Sequence, residues 1–402
     1  MSRYEILSSL LRKVQGFQAL DARFTTAIAI TTLIYSASIA RGHDAENGPS
    51  VFAHVTDVEG VISWRASPFS ADGTRFVTVA PGPKTSDVWV WDAKTCKSAA
   101  RRIRQDGVVI VYQLSSDGKM LFTGATNKHI SIWDVQTSTL TAVKNLDHEL
   151  LFARFSPDGK RFVTNADDVG KLQLWLTAET KPYATLSHSE PVTFATFDNS
   201  GTRIVTREWA AGASVHLWDA KTGMESCKPI ESDFNAEADT AQTAAFDLRG
   251  DRVVLARQRG FAMADVANGR ILSTGHIEGD FETASLCFSA DGSTVAVLTR
   301  SAIDHQCGSV QVFDSVTGRL TRSVTSGAGA FEISPNGKWL FCSSPQSPST
   351  NLWDISNGSR LQTFEGLIGA IAISPDGRII AFNKEDRTSI WRVRQGAGRI
   401  GS

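Results

Sequence analysis

Residues 155–180 read "FSPDGKRFVTNADDVGKLQLWLTAET". A tight turn, a short apolar run, a second turn and a tryptophan-ended run follow one another. "SPDG" (156–159) has the chemistry of a tight turn, because Pro presets φ and Gly accepts φ > 0. "RFVT" and "KLQLW" place β-branched and aromatic residues in runs of strand length. The stretch reads as consecutive hairpins, and its order is not confined to this place.

The turn recurs as "SADG" (70–73), "SSDG" (115–118), "DNSG" (198–201), "DLRG" (247–250), "SADG" (289–292), "SPNG" (334–337) and "SPDG" (374–377). These eight copies lie about 40–50 residues apart, the period of propeller blades. Each is followed by a second landmark: "WVWDAKT", "SIWDVQT", "QLWLTAET", "HLWDAKTG", "AMADVANG", "QVFDSVTG", "NLWDISNG" and finally "SIWRVR". A lone four-stranded unit leaves two apolar faces in water, so such units are stable only when stacked in series.

Trp91-Asp92, Trp133-Asp134, Trp218-Asp219 and Trp353-Asp354, with looser versions at Trp175, Phe313 and Trp391, resemble the WD-repeat (WD-40 type) β-propellers over about residues 51–394. The fold expected is all-β: an eight-bladed β-propeller of four-stranded antiparallel blades, preceded by a short helical N-terminal segment. Seven blades is the alternative if "AMADVANG", which lacks Trp, is not a unit. The resemblance also implies a hydrogen-bonded chain inside each blade, from a His through a Ser or Thr and an Asp to the Trp. The third unit offers His148, Thr164, Asp168 and Trp175; the fourth offers His188, Thr206 and Trp218 without a matching Asp. These side chains are expected to be structural and not catalytic.

The domains expected are a 1–50 segment, a 51–395 propeller and a 396–402 tail. "PSVFAHVTD" (49–57) alternates Val51, Ala53 and Val55 in strand fashion, so the N-terminal end of the propeller is expected to donate the outer strand of the last blade. In 1–50, Ile6, Leu7, Leu10, Leu11, Val14 and Phe17 fall at helical spacing. Residues 24–40 then run seventeen positions without a charge. Three readings stay open for 24–40: a docked helix, a membrane anchor, or the apolar part of an export signal.

The 41 basic and 42 acidic residues give a net charge of −1, without the basic excess that marks nucleic-acid binders. Five cysteines, an odd number without metal-site spacing, point to a reducing compartment, with the cytoplasm expected. Gly-Lys pairs occur only inside turn motifs, and neither a nucleophile elbow nor a zinc-protease motif is present. No catalytic group, cofactor, metal or small-molecule substrate is therefore expected.

The uneven loops are those between the second and third strands and those joining blades. "REWAAGAS" (207–214), "ESDFNAEADTAQ" (231–242), "HIEGDFETA" (276–284) and "RSAIDHQCGS" (300–309) are long and cluster in units four to six, with "SSPQSPST" (343–350) in the seventh. Trp209, Phe234, Phe281 and Asp304 stand among acidic neighbours there, and are the expected partner-binding residues for a protein or a basic peptide. The resemblance implies a non-catalytic scaffold or sensor module in signalling. The alternatives are a membrane-tethered or exported propeller, and an enzyme with a site on the channel rim.

Overall fold

The computed structural model describes residues 51–394 apart from 63–67, 147, 149, 151–152, 167–169, 209–213, 232–243, 248, 290, 302–306, 326–329, 345–346 and 367–369. The expected helical segment, residues 24–40 and the tail lie outside the described residues. Contacts divide the chain into Met1–Pro49 and Ser50–Ser402, and the propeller belongs to the second unit.

Eight antiparallel sheets follow one another along the chain, and so the chain is an eight-bladed propeller. Labelling strands a to d from the inside outward, blade 3 consists of Ala153–Phe155, Arg161–Asn165, Lys171–Leu176 and Pro182–Ser187. Blade 4 consists of Val192–Phe197, Arg203–Glu208, Ser214–Asp219 and Ile230–Glu231. The Trp-less fifth unit is a complete four-stranded sheet, Ala244–Phe246, Arg252–Arg257, Gly260–Asp265 and Ile271–His276, which settles the blade count at eight. In blade 1 strands b to d form a three-stranded sheet, and the inner position is held by the bridges Val61↔Val79 and Phe69↔Phe76.

Strand d of blade 8 is Phe52–Glu59, paired antiparallel with Arg387–Val393. The side chains that anchor it differ from the alternation read in the sequence. Phe52 and Val58 are buried, whereas Val55 is 40% exposed. A register shift between His54 and Thr56 changes the phase of the pleat midway, so a strict period of two fails.

The core is a ring of eight apolar clusters, one at each blade seam. Val163, Leu174 and Leu186 of blade 3 meet Ala195, Ile204 and Trp218 of blade 4. Phe341 and Phe364 of blade 7 meet Phe52, Ile380 and Phe382 of blade 8. Side-chain amides stitch several seams as surrogate backbone. Asn383 accepts from Ile62 N and donates to Ile62 O, both at 2.9 Å. Gln362 pairs with both backbone groups of Phe52, and Gln113 with those of Phe155.

The turns of one rim are uniform for a local reason. The turn serine donates to the turn carboxylate, as Ser115 does to Asp117 (2.7 Å) and Ser156 to Asp158 (2.6 Å), and its oxygen accepts the first amide of strand b. In the c–d turns a left-handed residue follows the Asp cap: Gly223 has φ 69°, while Cys96 and Ser138 hold the equivalent place at 55° and 58°.

Candidate partner-binding rim

Inside the blades the polar residues form hydrogen-bonded pairs built from one register. In strand b, the residue two positions after the one facing the strand-c aromatic lies under its ring. In blades 1 to 4 this residue is Thr78, Thr123, Thr164 and Thr206, and its hydroxyl accepts from Trp91, Trp133, Trp175 and Trp218 at 2.8–3.1 Å. Blade 5 carries Leu255 and Ala264 in those places, and blade 6 Val297 and Phe313. An apolar pair strands no donor. Blade 7 keeps Trp353 but puts Cys342 where the Thr stands, and Trp353 Nε1 is buried without an acceptor among the described residues.

The histidines are placed differently in the two blades where the sequence singled them out. His148 Nε2 meets the carbonyl oxygen of Asn165 at 2.8 Å, and Asp168 lies outside the described residues. His188 Nε2 lies 2.7 Å from Thr206 Oγ1, so Thr206 joins His188 and Trp218. Burial, and then the neighbouring His216, push the His188 imidazole down to about 4, which keeps it neutral at pH 7.

Sequence reasoning missed His216 and Glu208. His216 is edge-on to His188, with ring centroids 4.9 Å apart, and its Nδ1 lies 2.6 Å from Glu225 Oε1. Glu208 Oε1 accepts from Ser189 N at 2.8 Å and Ser189 Oγ at 3.0 Å, and lies 3.5 Å from His216 Nε2. Glu208 thus places a carboxylate beside this cluster, bonded to Ser189 and not to His188, Thr206 or Trp218. The usable signal was His216 two residues before Trp218, which places both rings on one side of strand c. His188, Thr206, Trp218 and Glu208 are hydrogen-bonded, whereas His216 Nε2 is buried without a hydrogen bond among the described residues.

Three of the cysteines do not carry activated thiolates: burial pushes the Cys96 and Cys227 thiols up, and Cys287 well above its ordinary range. Among the described residues no group of three or more His, Cys, Asp or Glu is arranged to hold a metal ion. Nor is any described helix long and apolar enough to cross a membrane.

The rims differ in a way that bears on binding. The b–c connection of blade 5 is Arg257 to Gly260, whereas that of blade 4 runs from Glu208 to Ser214 and that of blade 6 from Ser301 to Cys307. The crossover from blade 4 to blade 5 runs from Glu231 to Ala244. Of the residues expected to bind partners, Trp209, Phe234 and Asp304 lie outside the described residues. Phe281 opens strand a of blade 6 and is half-buried against the seam cluster of blades 5 and 6. Beside it, Glu278 is held through its backbone by Gln311, Glu282 accepts from Gln258 at 3.1 Å, and Arg259 donates to Gly279 O. Arg259 also lies 4.0 Å from Asp280, so one of the acidic charges read in the sequence has a cation beside it.

Comparison with known proteins agrees with this architecture. Residues 105–134 match the family described as "WD domain, G-beta repeat". The chain is 26% identical over 196 residues to the periodic tryptophan protein 2 homolog of Schizosaccharomyces pombe, an alignment covering 45% of this chain and 21% of that protein. The chain thus spans about a fifth of that relative's length. Among solved structures it is similar to the β-propeller domain of Cps50 (Swd1) from Myceliophteria thermophila, with a TM-score of 0.51 and 16% identity, covering 72% of this chain and 97% of that one. The architecture defines a β-propeller, and the repeats and matches make the chain similar to WD-repeat proteins.

Proposed function

We propose that this propeller is a non-catalytic scaffold that presents the variable rim of blades 4 to 6 to protein partners. The observation that carries the reading is the contrast between rims. One is built from near-identical capped turns, while the other varies from the two-residue turn between Arg257 and Gly260 to the twelve-residue crossover between Glu231 and Ala244. Side chains that could do acid–base chemistry are engaged inside the blades, as His188 and Glu208 are. Variable loops on a rigid frame suit recognition. Trp209, Phe234, Phe281 and Asp304 are the residues proposed to contact a partner, a basic segment being the best complement to the acidic loops.

The uncharged run 24–40 supports a second reading, in which the propeller is tethered to or exported across a membrane. The test is affinity capture of the full chain beside a version lacking residues 1–50, with membrane and soluble fractions kept apart. The scaffold reading expects the same captured proteins from both versions in the soluble fraction. Sedimentation of the full chain alone with membranes supports the tethered reading. Capture of no protein by either version contradicts the scaffold.

A further inference from the structure

A second surface, away from the variable rim, lies on the outer edge of blades 1 and 2. Blade 1 contributes Arg75–Pro81, Thr85–Asp92 and Ile103–Asp106; blade 2 contributes Val109–Leu114, Met120–Ala125, His129–Asp134 and Thr139–Asn145. Between residues 94 and 104, "KTCKSAARRIR", the chain carries Lys94, Lys97, Arg101, Arg102 and Arg104 and no acidic residue. Arg102 and Arg104 share one carboxylate, Asp87, at 3.5 and 3.2 Å. Lys94, Lys97 and Arg101 are exposed and form no ion pair among the described residues. Arg392 adds a further cation, donating to the carbonyls of Ala93 and Lys94 at 2.9 Å. The chain carries a net charge of only −1, yet this edge is strongly basic.

Next to it lies exposed apolar surface. Arg101 N donates to Ser138 Oγ at 2.9 Å, which fixes the basic segment against the c–d turn of blade 2. Immediately beyond, Leu140 is 47% and Val143 41% exposed. They pair with Trp133 and Ser131 across strands c and d, and cross-strand partners share a face. Trp133 packs into the seam cluster with Ile103, so Leu140 and Val143 stand on the side of blade 2 that looks toward blade 1.

We propose that this edge docks an acidic protein segment that also carries apolar side chains: carboxylates meet Lys97 and Arg101, and apolar groups cover Leu140 and Val143. Apolar residues bordering unpaired cations fit such a segment better than a uniform polyanion, for which Leu140 and Val143 would be dead surface. The proposal deepens the scaffold reading and rests on it, while assigning a partner chemistry opposite to that of the acidic loops.

The test is fluorescence anisotropy on the full chain with a labelled synthetic peptide in which Glu and Asp alternate with Leu and Phe. One comparison peptide has Ser for every Leu and Phe, and a single-stranded oligonucleotide of equal charge serves as a polyanion. The peptide should bind, weaken as salt rises, and lose roughly tenfold or more in affinity in Lys97→Glu/Arg101→Glu. Leu140→Ser/Val143→Ser should cost roughly three- to tenfold by removing the apolar contact, with melting unchanged in both variants. Absence of binding, indifference to either double variant, or equal binding of the Ser peptide or the oligonucleotide would overturn the proposal. If the capture experiment finds partners while the peptide fails, this surface is wrong and the scaffold stands. If capture finds none, the scaffold itself has failed.

Discussion

Blades 4 and 7 hold the same tryptophan in the same place, and only blade 4 gives it a polar partner. In blade 4, Trp218 donates to Thr206, and His188 bonds the same hydroxyl. In blade 7, Trp353 Nε1 is buried without an acceptor among the described residues, and Cys342 occupies the threonine position. Trp353 packs with Leu340 and Cys342 in the seam of blades 6 and 7, while the other seam of blade 7 is filled by aromatic rings. Phe52 contacts the rings of Trp339 and Phe341, and Phe364 contacts Phe382 and Trp391 edge-on or tilted at centroid distances of 5.0 Å. A blade therefore requires a filled seam more than it requires the polar chain. Where the chain is present every member must be satisfied, because a stranded buried donor costs about 1–3 kcal/mol.

The largest effect should come from removing blade 7's packing. Phe52, 1% exposed, lies where the strand that closes the ring meets blade 7. Phe52→Ala should lower unfolding free energy by about 3–5 kcal/mol in urea denaturation. A loss below about 1 kcal/mol would break the claim that a filled aromatic seam holds blade 7 against the closing strand. In blade 4, Thr206→Val strands the Trp218 donor and the His188 Nε2 acceptor at once and should cost about 2–4 kcal/mol, whereas Val297→Thr in blade 6, where no donor waits, should gain nothing. Equal costs for Thr206→Val and a surface Thr→Val such as Thr141→Val would remove the special standing of this position.

The two blades should also respond oppositely to pH. Unfolded, His188 takes up a proton near 6.5; folded, burial and then His216 lower this to about 4. Between those values the unfolded chain binds more protons, so the blade 4 contribution is full above about pH 6.5 and is lost as pH falls toward 4. Its upper bound is roughly 3 kcal/mol, and His188→Gln should flatten the acid limb of a melting-temperature profile. Glu332, on strand a of blade 7 (Ala330–Ile333), is raised by burial from 4.5 to about 7. Here the folded chain holds the extra proton, so stability is full below about pH 4.5 and declines as pH rises to 7. Glu332→Gln should therefore raise stability at pH 8 by about 1–2 kcal/mol and leave pH 4 unchanged.

The smallest effect is a repair. Cys342→Thr brings a hydroxyl to the register position from which Thr206 serves Trp218, and should stabilise blade 7 by about 1 kcal/mol in a thermal melt. Loss of stability instead would show that the thiol is needed for seam packing.

The blades were legible because turn chemistry and Trp-Asp landmarks are local and repeat with a fixed period. "AMADVANG" was ambiguous by motif alone; its blade is sound because Leu255 and Ala264 replace the polar pair with an apolar one. The phase of the closing strand was not legible, since the register shift near His54 obeys its partner Arg387–Val393 and leaves little trace in composition. The Glu208–His216 pairing was missed because it depends on two strands meeting across blade 4. The basic edge of blade 1 was hidden in a net charge near zero, which averages over faces that partners meet separately.

The central claim is that the blades' polar interiors serve the fold while the variable rim serves partners. Its most direct test compares the wild-type chain with Trp209→Ala/Phe234→Ala/Phe281→Ala/Asp304→Ala, measuring thermal unfolding and the proteins captured from the native lysate on the same preparations. The account predicts a cooperative melt still close to wild type, with captured proteins lost. An unchanged set of captured proteins would contradict it.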